Sequence, residues 1–415
     1  MAAAPRTFLI VGAGLAGAKA AQTLREQGFD GRLLLVGAEP ERPYERPALS
    51  KGYLSGSASR DSLYVHDQEW YGNHGVELRT DVTVTDLDAA AHQVVLDDGD
   101  HVHYDKLLLA TGSSARRLPL PGLDLDGVRY LRQLPDAERL AEDLSGGGRR
   151  VVIVGGGWIG LEVAAAARGH GNQVVVVERQ GTVLPAALGP ELGEVFARLH
   201  RDHDVDLRLG TGVHAFEGVG GRITSVTTGA GEDLTTDLVV IGVGAQPNTE
   251  LAARAGLAVD NGVVVDAALR SSHPDVFAAG DVANAYHPLL GRQLRVEHWA
   301  NALHSGPAAA RSMLGQPVTY DQIPYFYTDQ YDLGMEYSGD LGPDGYDQIV
   351  YRGEPAGREF IAFWLRAGRV VAGMNVNVWD VAGPIQALIR SGTVVDPGRL
   401  ADPEAPLEQL TATTR

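Results

Sequence analysis

The chain has 415 residues, enough for two or three domains with separate buried cores. Its apolar fraction of 44% and charged fraction of 21% are those of a globular protein, and its formal net charge of −18 argues against general attraction to nucleic acid or an anionic membrane. The absence of cysteine excludes disulfides, thiolate nucleophiles, cysteine-ligated zinc or iron–sulfur centres and redox cysteine pairs, so any redox chemistry must use a bound cofactor.

The apolar runs of the chain predict neither a leader nor a membrane span. Residues 1–5 carry no basic cluster, and the first apolar run, 8–11, is too short for a signal peptide. The longest apolar stretch, 151–167, is shorter than the roughly 20 residues of a span and is interrupted by glycines and by Glu162. We therefore expect a cytoplasmic protein.

Short apolar runs followed by glycine and an amphipathic stretch recur along the chain, as in parallel sheets covered by helices on both faces. The six runs are 8–11, 33–36, 107–110, 151–154, 174–177 and 238–243. Segments 101–104 and 263–265 are predicted to be antiparallel strands, which would make the sheets mixed. After about residue 323, aromatic-rich strands (359–365 and 370–378) and a helix near 384–391 predict a separate α+β unit.

The first glycine motif, residues 12–17, lies between an apolar strand and a helix. Gly12 would permit the tight turn, Gly14 would let the backbone approach a pyrophosphate, and Gly17 would let the helix pack close to the strand. Glu39, 27 residues after Gly12, is placed to bind a ribose hydroxyl. A simple connecting turn and a solvated carboxylate are the alternative interpretations.

The second glycine motif repeats this pattern and indicates an internal duplication with two dinucleotide sites. Gly155, Gly157 and Gly160 follow the 151–154 strand, and Glu178 ends the next strand 23 residues after Gly155. A carboxylate there favours NADH, because it would repel the 2′-phosphate of NADPH. Arg179 beside it weakens this preference, unless it is an ordinary solvated arginine.

Two further segments, residues 107–112 (LLLATG) and 275–281 (DVFAAGD), resemble those of the two-dinucleotide-domain flavoproteins. Segment 41–51 (ERPYERPALSK) narrows the resemblance to the FAD-dependent ferredoxin reductases that serve oxygenases and cytochromes P450. The resemblance implies an α/β fold with two Rossmann-like domains, the second inserted in the first, and a C-terminal α+β domain. The implied boundaries are 1–112 with 246–323 for FAD, 113–245 for NAD and 324–415 for the last domain.

The resemblance also implies the site residues. Lys51 would lie beside the flavin N5 edge as a catalytic residue, with Glu162 approaching it, and because a buried lysine needs a partner we expect the two to pair. Asp281 would contact the ribityl or pyrophosphate region, Trp299 would cover part of the flavin, and Glu297 would lie near the nicotinamide carboxamide. The further cofactor positions are Leu15, Ala16, Arg46, Val84 (adenine side), Ala110, Thr111, Gly112, Arg132, Trp158, Ile159, Gly242, Gly280 and His298.

Purely structural roles remain as alternatives to cofactor binding: surface positions for Lys51 and Glu297, core packing for Val84 and Trp299, and helix capping for Asp281. The thirteen histidines show no metal-ligand spacing with a third ligand, so no metal site is expected.

The expected reaction is hydride transfer from NADH to FAD, followed by single-electron delivery to a ferredoxin. No nucleic acid or membrane partner is expected, and the chain would be a monomer or homodimer. Because ferredoxins are commonly acidic, a docking face must be locally basic, with Arg292 and Arg295 as candidates aided by Tyr327. The alternatives are a relative of apoptosis-inducing factor, which binds NADH in an interaction role, and a non-catalytic dinucleotide sensor.

Overall fold

The computed structural model describes residues 6–411. Residues 1–5, on which the predicted location partly depends, lie outside this range. Within it, no helix is both long enough and apolar enough to cross a membrane.

The strands and helices are numbered in chain order. The strands are β1 (Thr7–Val11), β2 (Arg32–Val36), β3 (Val76–Arg79), β4 (Val84–Asp88), β5 (Gln93–Leu96), β6 (His101–His103), β7 (Lys106–Leu109), β8 (Ser113–Ala115), β9 (Val128–Tyr130), β10 (Arg150–Val154), β11 (Gln173–Glu178), β12 (Val205–Leu209), β13 (Val213–Val219), β14 (Arg222–Thr228), β15 (Asp233–Thr235), β16 (Leu238–Ile241), β17 (Ala245–Pro247), β18 (Val263–Val265), β19 (Val276–Ala278), β20 (Ala283–His287), β21 (Arg292–Arg295), β22 (Tyr325–Gln330), β23 (Leu333–Gly339), β24 (Gln348–Glu354), β25 (Glu359–Arg366) and β26 (Arg369–Val376). The helices are α1 (Leu15–Glu26), α2 (Gln68–Asn73), α3 (Leu134–Ser145), α4 (Trp158–Gly169), α5 (Pro185–Asp202), α6 (Glu250–Arg254), α7 (Trp299–Met313), α8 (Ala382–Ser391) and α9 (Pro397–Ala401).

The chain forms two compact units. Unit 1 comprises residues up to 45, 60–114 and 245–324, and unit 2 comprises 46–59, 115–244 and the chain from 325 onward. This grouping joins 115–244 with the C-terminal segment, and the finer division into three domains stays a prediction.

Unit 1 is built on a parallel sheet with strand order β19-β7-β1-β2-β3. Phe8, Leu9 and Ile10 on β1 are fully buried, because an unbroken apolar strand needs cover on both faces. Helices α1 and α7 pack so closely that a Cβ on Gly306 would lie 2.3 Å from the carbonyl oxygen of Ala16. A three-stranded antiparallel sheet, β4-β5-β6, adds to this core.

The predicted antiparallel pairing is confirmed for the 101–104 segment and is wrong for Val263–Val265. Strand β18 pairs in parallel with β20, which in turn pairs antiparallel with β21. Three successive valines carry no signal of strand direction. The long connection through β19 between β18 and β20 permits the parallel pairing, because a tight turn joins only antiparallel strands.

Unit 2 contains a second parallel sheet, with order β12-β11-β10-β16-β9, and an antiparallel ribbon, β13-β14-β15. Strands β22 to β26 form a five-stranded antiparallel sheet in the order β22-β23-β26-β25-β24. Its buried Trp364 shares one apolar core with Leu161 of α4 and Phe196 of α5. The parallel sheets of both units, followed by this antiparallel sheet, confirm the predicted α/β class.

Candidate active site

The first glycine turn connects β1 to α1 in unit 1. Gly12 has a φ of +116°, and a Cβ there would lie 2.0 Å from the carbonyl oxygen of Ala110, while one on Gly17 would lie 2.1 Å from the carbonyl oxygen of Gly12. Gly14 precedes α1, no side chain in the described range caps the helix there, and a Cβ on Gly14 would meet nothing within 4 Å. The turn is tightly packed beneath and open at the helix N-terminus, as a bound pyrophosphate requires.

The second glycine turn has the same construction in unit 2. Gly155 has a φ of +108°, and its Cβ would lie 2.3 Å from the carbonyl oxygen of Gly242. A Cβ on Gly160 would lie 2.1 Å from the carbonyl oxygen of Gly155. Gly157 opens α4 without a capping side chain from residues 6–411 and faces open space. The matching contacts support the predicted duplication.

The residues that follow the two turns differ in exposure. Leu15 and Ala16 are buried at the start of α1. Trp158 packs on Phe326, with 4.9 Å between the ring centroids. Ile159 is 43% exposed, which leaves its side chain available to a ligand at the second turn.

Both predicted ribose-binding acids are held in place. Glu39 accepts a hydrogen bond from the Tyr44 hydroxyl at 2.5 Å. Glu178 accepts hydrogen bonds from the backbone N–H groups of Gly156 and Gln180, each at 2.7 Å. The carboxylate of Glu178 therefore ties the second glycine turn to the end of β11.

The Ala-Thr-Gly segment after β7 is fixed by Asn248, which sequence reasoning missed. The Thr111 hydroxyl donates to the Asn248 carbonyl oxygen at 2.8 Å, and the Asn248 amide donates back to the Thr111 carbonyl oxygen at 2.7 Å. The Asn248 backbone N–H donates to the Gly112 carbonyl oxygen at 3.0 Å. The available signal was an amide residue directly after β17, but its partner lies far away in the chain.

Asp281 lies at a short helical turn after β19, and its Oδ2 accepts a hydrogen bond from Ser113 Oγ at 2.8 Å. The neighbouring Gly280 N–H donates to the buried Ser305 hydroxyl at 2.9 Å. Neither serine was predicted. Together they fix the loop that carries Asp281.

Residues 297–299 lead into α7 and differ in their partners. Trp299 Nε1 donates to Glu45 Oε2 at 3.0 Å, so its indole is held within unit 1. Glu297 pairs with Arg295. Burial lowers the pKa of His298 to about 4, so its imidazole is neutral near pH 7.

The structure gives little support to the docking role of Arg295, which stays a prediction. Its side chain is only 12% exposed, is paired with Glu297, and donates to the Asp281 carbonyl oxygen at 3.3 Å. Arg295 therefore braces the Asp281 loop and offers little charge to a partner, which leaves Arg292 as the candidate from that segment.

Lys51 and Glu162 form the expected ion pair in unit 2. Lys51 Nζ lies 2.8 Å from Glu162 Oε1, and the glutamate is only 3% exposed. The carboxylate also accepts hydrogen bonds from Ser50 Oγ and from Thr328 Oγ1, the latter at 2.7 Å. The Lys51 ammonium lies 5.4 Å from the centre of the Tyr327 ring. Ser50 and Thr328 were not predicted as site residues, although Ser50 belongs to the segment 41–51 that carries the resemblance.

Three other predicted cofactor residues have structural contacts of their own. Arg46 Nη1 donates to the Arg132 carbonyl oxygen at 2.6 Å. The Arg132 backbone N–H donates to Asp136 Oδ2 at 3.0 Å, at the start of α3. Val84 is 9% exposed and packs in the core of unit 1. A cofactor contact for each stays a prediction.

The sequence analysis also did not identify a group of three side chains of types that can bind a metal ion. His92, His273 and Asp275 bring ligand atoms within 4.8 Å of one another. The Lys106 ammonium contacts the Asp275 carboxylate and holds its pKa below the usual range, so a cation is already present. Asp275 precedes β19 and Lys106 begins β7, so both lie at the N-terminal ends of strands in the parallel sheet of unit 1, whereas the first glycine turn follows the C-terminal end of β1.

Comparison with protein families gives two matches. Residues 6–306 match the model described as pyridine nucleotide-disulphide oxidoreductase, and residues 325–411 match the model described as reductase C-terminal. The first alone covers more than half of the chain.

Full-length relatives give the same assignment. The chain is 40% identical over 403 residues to the ferredoxin–NAD(+) reductase component of an anthranilate 1,2-dioxygenase system from Burkholderia cepacia, covering 97% of this chain and 98% of the relative. It is 36% identical over 412 residues to putidaredoxin reductase of Pseudomonas putida, covering 98% and 97%. The crystal structure of a covalent putidaredoxin reductase–putidaredoxin complex aligns with a TM-score of 0.94 at 36% identity, covering 98% of each chain.

Proposed function

The chain belongs to the pyridine nucleotide-disulphide oxidoreductase family, and from this premise we propose that it is a ferredoxin reductase that oxidises NADH through FAD. It is an enzyme of the ferredoxin–NAD(P)(+) reductase type, whose relatives serve oxygenase systems. Because it has no cysteine, it cannot use the redox disulfide that gives the family its name. Its electrons must leave to an external carrier, and an iron–sulfur ferredoxin serving a cytochrome P450 or Rieske oxygenase fits that requirement.

The two open helix N-termini carry this proposal. The glycine turns before α1 and α4 each leave room beside uncapped backbone N–H groups, so the residues present fit two dinucleotides. We assign FAD to the first turn, where Glu39 and Asp281 would accept hydrogen bonds from its hydroxyl groups. FAD, when bound, supplies the conversion of a two-electron donor into one-electron transfers.

Lys51 and Glu162 are the proposed catalytic pair. Lys51 provides a positive charge in a largely buried position, and Glu162 with its three hydrogen-bond donors keeps that ammonium fixed. A fixed positive charge favours electron arrival nearby without requiring the protein to rearrange during the reaction.

We assign nicotinamide dinucleotide to the second turn, with a preference for NADH. Glu178 Oε2 already accepts the Gly156 N–H, which orients the carboxylate at the edge of the turn where a ribose 2′-hydroxyl would donate. A 2′-phosphate would meet this negative charge.

Anaerobic titration of the FAD-loaded protein with NADH tests the function. One equivalent of NADH should bleach the flavin absorbance, and each NADH should then reduce two molecules of a one-electron [2Fe–2S] ferredoxin. Bleaching followed by a long-lived complex without ferredoxin reduction would favour the interaction-protein alternative, which the full-length reductase relatives do not favour. A preparation that binds no flavin would contradict the proposal.

Variants of the ion pair test the catalytic assignment. Lys51→Met should slow flavin reduction by NADH by roughly tenfold or more, because a preorganised charge is lost. It should also lower the thermal midpoint, since Glu162 is left buried without its cation. The double variant Lys51→Met/Glu162→Gln should recover the midpoint but not the rate. Recovery of both would mean that the pair is only structural.

A further inference from the structure

A line of buried polar residues leads away from the Lys51–Glu162 pair into the core of unit 2. Thr328 and Gln330 point inward from alternate positions of β22 and are at most 1% exposed, and His200 on α5 is fully buried. Their surroundings include the apolar core of Leu161, Phe196 and other residues. Buried polar groups in such a core are costly unless they bond to one another, so their continuity requires an explanation.

The hydrogen bonds are continuous from Tyr331 to Glu162. Thr328 Oγ1 lies 2.7 Å from Glu162 Oε1, and Gln330 Nε2 lies 3.1 Å from Thr328 Oγ1. His200 Nε2 lies 2.8 Å from Gln330 Oε1, and the Tyr331 hydroxyl lies 3.4 Å from His200 Nδ1.

The direction of every bond is fixed by elementary donor and acceptor rules. A carboxylate only accepts, so Thr328 must donate its single hydroxyl hydrogen to Glu162. Thr328 then accepts from the Gln330 amide nitrogen, which turns the amide oxygen toward His200. That oxygen only accepts, so His200 must carry its hydrogen on Nε2.

The imidazole therefore has a bare Nδ1, which accepts the Tyr331 hydroxyl. Burial lowers the pKa of His200 to about 4, with His203 adding to the effect, so the ring stays neutral at physiological pH. All the donors in the series point toward Glu162.

We propose that Thr328, Gln330 and His200 are positioning residues whose aligned hydrogen bonds hold the Glu162 carboxylate against the Lys51 ammonium during hydride transfer. This inference rests on the proposed function of the pair. The primary amide of Gln330 does not relay protons readily, so the series orients charge and does not conduct protons. Aligned hydrogen bonds polarise one another, so a break should be felt at Glu162.

Paired substitutions at Thr328 give the kinetic test. In the FAD-loaded enzyme, Thr328→Val keeps the shape and removes the donor, and should slow flavin reduction by saturating NADH about tenfold with an unchanged apparent Kd for NADH. Thr328→Ser keeps the hydroxyl and should remain within about twofold of the parent. Equal rates for the two variants would overturn the proposal, as would a change confined to Kd.

The tautomer of His200 gives a test that needs no turnover. In holoenzyme labelled with ¹⁵N-histidine, the signal lost in His200→Gln should show the Nε2–H form from about pH 5.5 to 9, and Gln330→Met should disturb it. An Nδ1–H tautomer would overturn the proposal, because Gln330 would then donate to His200 and accept from Thr328, which would no longer donate to Glu162. If the parent protein takes no hydride from NADH, the proposed function fails while the tautomer result can still stand.

Discussion

At the scale of single residues, Glu178 has a structural role in addition to the recognition role proposed for it. Two backbone N–H groups hold its carboxylate, and one of them belongs to the second glycine turn. Arg179 beside it is exposed. Under the proposed function, this carboxylate would accept a hydrogen bond from a ribose 2′-hydroxyl, and the neighbouring guanidinium would favour a 2′-phosphate.

Substitution of Glu178 or Arg179 should change kcat/KM differently for NADH and for NADPH. Glu178→Ala should lower kcat/KM for NADH roughly tenfold, because a charged acceptor for the 2′-hydroxyl is lost, and should raise it for NADPH. Arg179→Ala is the matched control and should lower kcat/KM for NADPH without changing kcat/KM for NADH. Steady-state kinetics with both nucleotides measure this, and an equal loss with both in Glu178→Ala would mean that the glutamate only supports the turn.

At the scale of elements, Arg352 connects residues 399–405 to the antiparallel sheet. Arg352 on β24 is 9% exposed, and its guanidinium donates to the carbonyl oxygens of Leu400, Ala405 and Arg399 at 2.9, 3.0 and 3.3 Å. Two of these carbonyls lie in α9, where a helix end leaves them without intrahelical partners. A lysine could not match this fork of donors.

Removing this guanidinium should destabilise the protein. Arg352→Met leaves three carbonyl groups short of a donor and should cost about 3 kcal/mol, or roughly 3–4 °C in the thermal midpoint of a chain of this length. Arg198→Met is a suitable control, because that side chain is 67% exposed and should change the midpoint little. A midpoint for Arg352→Met within a degree of the control would contradict this role.

Element prediction from sequence succeeds where one local pattern suffices. The apolar runs at 8–11 and 151–154 become β1 and β10, and the strand predicted at 359–365 becomes β25 with one residue more. The glycine turns were predictable because each glycine has a local steric task. The contacts of Asn248 and Ser305 and the contact between His92 and His273 were not predictable, because each joins residues that are distant in the chain. The direction of β18 was not predictable either, because three valines carry no signal of strand direction.

At the scale of the whole molecule, charge opposes the expected partner. The chain carries 53 acidic and 35 basic residues. Several of its arginines are also neutralised, as Arg295 is by Glu297 and Arg32 by Glu77. An acidic ferredoxin therefore meets long-range repulsion before any local basic patch, such as one that includes Arg292, can attract it.

Added salt should therefore first raise and then, at higher concentration, lower the rate constant for reduction of an acidic ferredoxin. Raising ionic strength from about 0.01 M to 0.15 M shortens the Debye length from about 30 Å to about 8 Å, which screens the overall repulsion but spares contacts at short range. The second-order rate constant for reduction of an acidic ferredoxin should therefore rise over this interval and fall at higher salt, when contacts at the docking face are screened as well. Stopped-flow measurement with the prereduced enzyme follows this, and a neutral quinone acceptor should give a rate that salt hardly changes. A rate constant that only falls as salt is added would mean that a strong basic docking face outweighs the net charge even at long range.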